Sequence, residues 1–254
     1  MIDGDHIPWK ICPNPVLTET EVMYGVNNVK TLEETLRGID WYVTEKIFKP
    51  TNADSYIGFL GGKGNFRKEL TESYKEGRSD DRPPYFNEAK QHLVDKWGFV
   101  VVDEIEAEDA VGISLTKYPE GIIIHTDHDL YQLEGTHFNP SKELWEHLTK
   151  EHANYNLNIQ LIAGCSTDKV RGLKKGIGPR SAEKLLDGFP NEALLFEVIN
   201  LYLKEYGEYK GIEEFYTQYK LLKILREKED FVIPEIRQVP TKPVEEVNLE
   251  DLKF

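Results

Sequence analysis

The stretch from Glu106 to Asp129 constrains the fold of this chain more than any other. Gly121-Ile122-Ile123-Ile124-His125 is a short apolar run rich in β-branched residues, the composition of a buried strand in a parallel sheet. Two acidic clusters flank it, Glu106-Ala107-Glu108-Asp109 before and Asp127-His128-Asp129 after. The second cluster falls at the strand's carboxyl end, where open α/β sheets place their sites. Residues two apart on an extended chain point to the same side, so Asp127 and Asp129 are expected to face one ion, with His128 turned away. Glu106 and Asp109, three apart, share one face of a helix's first turn. Carboxylates gathered in this way repel one another unless cations neutralise them, and hard ions such as Mg²⁺ or Mn²⁺ take oxygen ligands. Acidic residues also favour helix N-termini, and Asp is a common turn residue after a strand, so each cluster alone has a purely structural reading.

Around this unit the chain alternates. Ile2-Asp3-Gly4-Asp5 reads as a strand ending in a turn. Residues 29–48 carry Leu32, Leu36, Ile39, Tyr42, Val43 and Ile47 at helical spacing. Strands are predicted at Ser55–Leu60 and Gly98–Val102. Between them Pro83-Pro84 opens a helix with Phe86, Ala89, Leu93 and Trp97 on its apolar face. A helix is expected over Leu144–Tyr155. The alternation up to about residue 162 implies a parallel α/β sheet, and the part from 163 to 238 reads as all helical. The acidic end, 239–254, reads as an extended or mobile tail.

Two basic segments stand out against a net charge of −14, which itself argues against a general polyanion-binding surface. The first holds Arg67, Lys75 and Arg78, read either as phosphate contacts or as solvated surface. In the second, Gly176-Ile177-Gly178-Pro179 precedes a helix and is surrounded by Lys174, Lys175, Arg180 and Lys184. Backbone N–H groups at a positive helix end suit a nucleic-acid phosphate read without regard to sequence. The only cysteines are Cys12 and Cys165. No disulfide framework is expected, and free thiols point to a reducing cytosol. No apolar run reaches membrane-spanning length and no signal peptide opens the chain, so a cytoplasmic protein with no membrane contact is expected.

Four stretches together resemble the phage and bacterial 5′→3′ exonucleases of the flap-endonuclease superfamily. They are Ile2-Asp3-Gly4-Asp5; Phe66-Arg67 with Tyr74-Lys75-Glu76-Gly77-Arg78; the two acidic clusters; and Gly164 through Leu186, which looks like the family's helix–three-turn–helix. The resemblance implies a PIN-like nuclease core over 1–162 with a helical DNA-binding module over 163–238. It maps metal carboxylates onto Asp3, Glu106, Glu108 and Asp109 for a first ion, and Asp127, Asp129 and Asp168 for a second. Lys75 and Arg78 match basic residues that approach the reacting phosphate. Arg67, Lys174, Lys175, Gly176, Gly178, Arg180, Ser181 and Lys184 fall to nucleic-acid binding. Mg²⁺ or Mn²⁺ is implied as cofactor, as two ions, with K⁺ at the helical module.

The implied substrate is DNA with a duplex 5′ end, flap or nick, or an RNA–DNA hybrid, cut in a bacterial cytosol or a phage-infected host. The tail would carry a replication-protein contact. The sequence also departs from the family. Leu60-Gly61-Gly62 lacks the Asp that often follows the second strand, Glu108 stands where Asp is more usual, and Gly164-Cys165 stands where Gly-Asp is expected. The segment from Arg78 to Pro83 is short for a threading arch. These losses define the alternative, a non-catalytic, structure-specific nucleic-acid-binding protein with a nuclease fold. Cys165 itself is either a thiol at the second ion or a small buried residue remote from it.

Overall fold

The computed structural model describes residues 1–13, 30–77 and 81–240. The first strand, β1 (Ile2–Asp3), leads into helix α1 (His6–Ile11). Helix α2 (Leu32–Trp41) starts at a capping box in which the Thr31 hydroxyl accepts from Glu34 N and the Glu34 carboxylate accepts from Thr31 N. It continues through a π-helical segment, Tyr42–Phe48, and a last turn, Lys49–Thr51. Strands β2 (Ser55–Tyr56) and β3 (Gly58–Gly61), helices α3 (Phe66–Leu70) and α4 (Phe86–Asp95), strand β4 (Val100–Val102) and helix α5 (Ala107–Lys117) follow. Next come β5 (Ile123–Ile124), a 3₁₀ turn at His128–Gln132, β6 (Gly135–Asn139), β7 (Leu144–Leu148) and α6 (Lys150–Ala163). The chain then forms α7 (Pro179–Leu186), α8 (Leu194–Tyr206), α9 (Glu208–Leu222) and a final strand β8 (Arg237–Gln238).

The main sheet has the order β4-β3-β1-β5-β6-β7. All its pairings are parallel except β6–β7. Strand β1 lies in the middle, with the earlier half of the chain on one side and β5 on the other. That is a switch point, where the carboxyl ends of neighbouring strands open a crevice. The strands are covered on both faces, and successive residues serve opposite cores. Ile2, Leu60 and Ile124 pack with Ile7, Ile39, Leu93 and Trp97. Phe59 and Ile123 pack on the other face with Ala110, Val111 and Leu133. A third core joins Leu161, Ile162, Leu173, Val198, Tyr202 and Phe215, so α6 packs with the helices that follow it.

Several details correct the sequence expectations. Leu144–Leu148 is not helical; it is an antiparallel edge strand whose Trp145 lies against Phe138 with ring centroids 4.7 Å apart. The helix begins only at Lys150, where the Thr149 hydroxyl accepts from His152 N at 3.3 Å. Its exposed Leu and Trp give the edge strand no alternating pattern to read. The region up to 238 is not all helical either, because β8 pairs antiparallel with β2. Gly98 makes room for this, since a Cβ there would meet the Arg237 guanidinium at 1.9 Å. Of the acidic tail only Val239 and Pro240 are described, and the Val239 N–H donates to Asp54 O at 2.9 Å. Among the described residues no helix is long and apolar enough to cross a membrane.

Candidate active site

The carboxyl ends of β1, β3, β4 and β5 open into one cavity of about 370 Å³. Its walls carry Asp3, Asp5, Glu106, Glu108, Asp127, Asp129 and Asp168, with Lys68, Lys75, Arg82 and Lys90 among them and Trp9 and Phe86 at the side. The fold therefore brings Asp3, Lys75, Glu106, Glu108, Asp127, Asp129 and Asp168 together from distant parts of the chain.

Local structure sets each group. Asp3 ends β1, and its Oδ1 accepts from Asp5 N at 3.2 Å. Glu106 is the N-cap of α5 and forms a capping box with Asp109. Its own carboxylate accepts from Asn65 Nδ2 at 2.9 Å, from the Tyr74 hydroxyl at 3.1 Å and from Lys75 Nζ. The single Tyr74 hydroxyl proton is shared with Asp168 Oδ2, 3.2 Å away, and Lys75 Nζ lies 3.6 Å from the same oxygen. Lys75 holds a left-handed backbone, φ +55°, and its N–H donates to Asp168 O at 2.8 Å. A non-glycine residue in this region is costly and has to be held by its surroundings. Tyr74 and Lys75 thus link the first acidic cluster to the start of the helical region.

Two expected site residues lie elsewhere. Arg67 and Asp109 form a buried two-pronged pair, with Arg67 NH1 and NH2 donating to Asp109 Oδ2 and Oδ1 at 2.5 and 2.8 Å. The guanidinium also donates to Leu221 O at 3.0 Å and Lys223 O at 2.9 Å, and Asp109 accepts from Leu225 N at 2.9 Å. Both side chains are 1 % exposed or less. Arg67 is therefore no phosphate contact and Asp109 no ligand; the pair ties α3 and α5 to the end of α9. The expectation for Arg78 lies outside the described residues.

The loop after β5 also differs from the extended geometry expected for it. The strand ends at Ile124, and Asp127 caps the 3₁₀ turn by accepting from Asp129 N at 3.0 Å. His128 is not turned away. Its Nδ1 lies 3.2 Å from Asp127 Oδ1 and its Nε2 3.4 Å from Asp129 Oδ1. His125, buried behind the loop, bonds the Asp127 carbonyl and, at 2.9 Å, His137 Nδ1.

The electrostatics are those of anions crowded together. Burial and neighbouring Asp5 push Asp3 up to about 8. Burial and Asp127 push Asp129 up to about 6, and burial with Glu106 and Asp109 raises Glu108 well above the usual range. Glu106 goes the other way: despite burial, Lys75 and Arg67 hold it low. Asp127, against its own burial, is held at about 2 by His128, which is itself raised to about 8 by that bond. Crowding of this kind leaves protons on groups that a divalent cation would displace. The donor set, carboxylate oxygens from four segments around one cavity, fits Mg²⁺ or Mn²⁺. Asp127 with His128 and Asp129, and Asp129 with Cys165 and Asp168, each present ligand atoms within 4.8 Å of one another.

Sequence reading missed Asp5. Gly61 N–H donates to both Asp5 oxygens at 3.0 and 3.1 Å, and a Cβ on Gly61 would meet Asp5 Oδ2 at 2.8 Å. Asp5 thus occupies the space a side chain at the end of β3 would take. Lys90 donates to Gly61 O at 2.5 Å and lies 3.7 Å from Asp5 Oδ1. The available signal was the Asp-x-Asp spacing at positions 3 and 5 beside a glycine pair. Tyr74 and its two carboxylate partners had no signal beyond adjacency to Lys75.

In the second basic segment, Gly176 has φ +94° and Gly178 caps α7, with open space where a Cβ would stand on either. Ser181 and Ala182 N–H both donate to Gly178 O, at 2.9 and 3.0 Å, so two of the expected open donors are already used. Lys175, Arg180, Ser181 and Lys184 are exposed around this end. Lys174 instead pairs with Glu205 at 2.7 Å.

No family model matches the sequence, nor does any curated protein. Solved structures do match its fold. A phage T5 protein crystallised with metal ions superposes with a TM-score of 0.56 at 17% identity, over 87% of either chain. The bacteriophage T5 flap endonuclease in a complex with DNA and metal ions gives 0.52 at 15% identity, covering 80% of this chain and 96% of that one. The catalytic core of Rad2 with DNA substrate gives 0.50 at 18% identity, covering 87% and 70%. The mainly parallel sheet with its helices matches the fold of these T5 and Rad2 structures.

Proposed function

We propose that this protein is a divalent-metal-dependent phosphodiesterase, a 5′→3′ exonuclease or structure-specific flap endonuclease acting on DNA. The observation that carries the reading is Lys75 set among Glu106, Asp168 and the other cavity carboxylates at the strand ends of a 5′-nuclease fold. Asp3, Glu106, Glu108, Asp127, Asp129 and Asp168 would hold the ions, which lower the pKa of a bound water and offset charge on the leaving 3′ oxygen. Lys75 would move from its carboxylate partners to the phosphate, where charge builds as the P–O bond breaks. The exposed end of α7, with Lys175, Arg180, Ser181 and Lys184, would hold the duplex backbone, so that cleavage falls near a 5′ end, flap or nick. An intracellular site of action follows from such a substrate.

The alternative, a binder without catalysis, draws on Gly61-Gly62 and on Cys165 in place of carboxylates. A 5′-labelled flap duplex incubated with Mn²⁺ separates the two. Cleavage by the wild type that is lost in Asp127→Asn, with duplex binding retained, supports the nuclease. Binding without any cleavage in the wild type selects the alternative.

A further inference from the structure

At the Asp129 and Asp168 end of the cavity, a thiol lies behind the lining carboxylates. Asp129, from the 3₁₀ turn after β5, and Cys165 with Asp168, from the connection after α6, present one ligand atom each within 4.8 Å of the others. Cys165 is 5 % exposed and Asp168 7 %. The thiol's Sγ lies 3.9 Å from Asp129 Oδ2, and its shorter contact, 3.0 Å, is with the Thr167 hydroxyl.

The three groups are held in this arrangement from outside. Cys165 N–H and C=O exchange bonds with Val170, both at 2.9 Å, which fixes the backbone that carries the thiol. Gly164, at φ +74°, and Gly172, at φ +70°, let the two arms of this bridge lie against each other; a Cβ on Gly172 would meet Gly164 N at 2.4 Å. Gln160 Nε2 donates to Asp129 Oδ1 at 2.8 Å, which leaves Oδ2 on the side of the thiol. The Tyr74 hydroxyl and Lys75 Nζ hold Asp168 Oδ2.

A thiolate changes which cation such a site selects. Mg²⁺ takes oxygen and has little use for sulfur, whereas Zn²⁺, Co²⁺ and Cd²⁺ accept thiolate and carboxylate together. We infer that Asp129, Cys165 and Asp168 form a mixed thiolate–carboxylate site for a thiophilic divalent cation of the Zn²⁺ class. On binding, the Cys165 thiol loses its proton to solvent, a metal–sulfur bond forms, and the ion competes with Lys75 for Asp168. The binding claim stands apart from the nuclease reading. Its consequence, that Zn²⁺ would occupy one end of the catalytic cavity and slow Mg²⁺-supported cleavage, rests on that reading.

Titration of the full chain with Co²⁺ tests the site directly, through the sulfur-to-cobalt charge-transfer absorption that oxygen ligands do not produce. The wild type and Cys12→Ser should show the band. Zn²⁺ should displace Co²⁺ at stoichiometric amounts, and a large excess of Mg²⁺ should not. Cys165→Ser should lose the band and bind Co²⁺ at least about tenfold more weakly, the range expected for disturbing a metal's surroundings. Cys165→Asp should also lose it and let Mg²⁺ compete. Absence of the band in the wild type, its survival in folded Cys165→Ser, or easy displacement by Mg²⁺ would overturn the proposal. Should Cys165→Ser not fold, the wild-type band and the Cys12→Ser control decide. A protein that binds Co²⁺ through sulfur yet cuts no flap substrate would remove the nuclease reading and leave this one standing.

Discussion

Two cation–carboxylate pairs reach the same helix end from the same short segment, and they do opposite jobs. Arg67 and Asp109 are sealed between α3, α5 and the end of α9, and every oxygen of that carboxylate is spent on a protein donor. Lys75 and Glu106 sit at the cavity wall, 19 % and 15 % exposed. The difference lies in what else each partner touches. A planar guanidinium satisfied by a carboxylate and two carbonyls makes a joint. An ammonium shared between two carboxylates, on a backbone already bent to left-handed φ, is the charge that under the proposed function would move to a phosphate. The exposed pair Lys174–Glu205, 50 % and 34 % exposed, extends the series to the surface.

The buried joint should show the largest effect. Arg67→Ala leaves Asp109 ionised and unpaired inside the protein, and a loss of about 3–5 kcal/mol in unfolding free energy is expected. Urea denaturation measures it. A double change, Arg67→Met with Asp109→Leu, should recover most of the loss, because removing both charges removes the uncompensated one. A single-mutant loss below about 1 kcal/mol would mean that the pair is no joint and would dissolve the contrast with Lys75.

At the cavity wall the effect should move from stability to rate. Lys75→Ala is expected to slow single-turnover cleavage by about 10²–10³-fold, the usual cost of one donor aimed at developing charge. Its melting temperature should fall less than that of Arg67→Ala, since Lys75 and Glu106 are 19 % and 15 % exposed where Arg67 and Asp109 are sealed. A destabilised protein that cleaves at the wild-type rate would place Lys75 with Arg67 as a structural residue.

The acids around Lys75 carry the next effect, which depends on pH and metal. Asp3 and Asp129 have raised values, about 8 and about 6, so these two groups keep protons in the folded metal-free protein that they lose in the unfolded chain. Their contribution to stability should therefore fall as pH rises from the ordinary carboxylate range towards 8. A divalent ion bound only by the folded state should offset this, by about 2.7 kcal/mol at a hundredfold excess over Kd. The Tm gain on adding Mn²⁺ should thus be larger at pH 8 than at pH 5. Asp40 provides an internal reference with the opposite sign. Despite its burial, His92, Lys96 and Trp97 hold it below the usual range, so its contribution is present at neutral pH and lost as pH falls through its depressed value. Asp40→Asn should cost about 1–3 kcal/mol at pH 7 and flatten the acid limb without altering the response to Mn²⁺. An equal Tm gain from Mn²⁺ at pH 5 and pH 8 would refute the crowding.

The same series explains what was legible beforehand. The apolar run before Asp127 and the acidic spacing predicted the sheet and most of the cavity acids, because burial on two faces and charge repulsion leave marks along the chain. Pairing across the fold leaves none. Arg67 and Lys75 read alike as basic residues in one segment, and only the distant carbonyls of Leu221 and Lys223 separate them. Asp109 matched an acidic motif while serving as a capping residue. Asp5 was hidden because its importance comes from a missing side chain at Gly61. The edge strand Leu144–Leu148 was lost to helix for a similar reason, since its pairing partner β6 and the ring of Phe138 define it.

The smallest effect is expected at the surface, and it tests whether pairing or position decides which lysine meets a phosphate. Lys174 and Lys175 adjoin in the connection before α7. Lys174 is held by Glu205 at 2.7 Å, while Lys175 is exposed beside Gly176. If the end of α7 holds duplex backbone, Lys175→Ala should reduce the slope of log K against log salt by about 0.9, the value for one lost phosphate contact. Lys174→Ala should change it less, because using that ammonium means giving up Glu205. Glu205→Gln should then do the reverse, releasing Lys174 and steepening the slope. Anisotropy titrations of a labelled duplex at several salt concentrations give all three slopes. An equal loss from both lysines, with no response to Glu205→Gln, would show that a surface ion pair does not withhold a lysine from DNA, and the burial series would then end at the cavity wall.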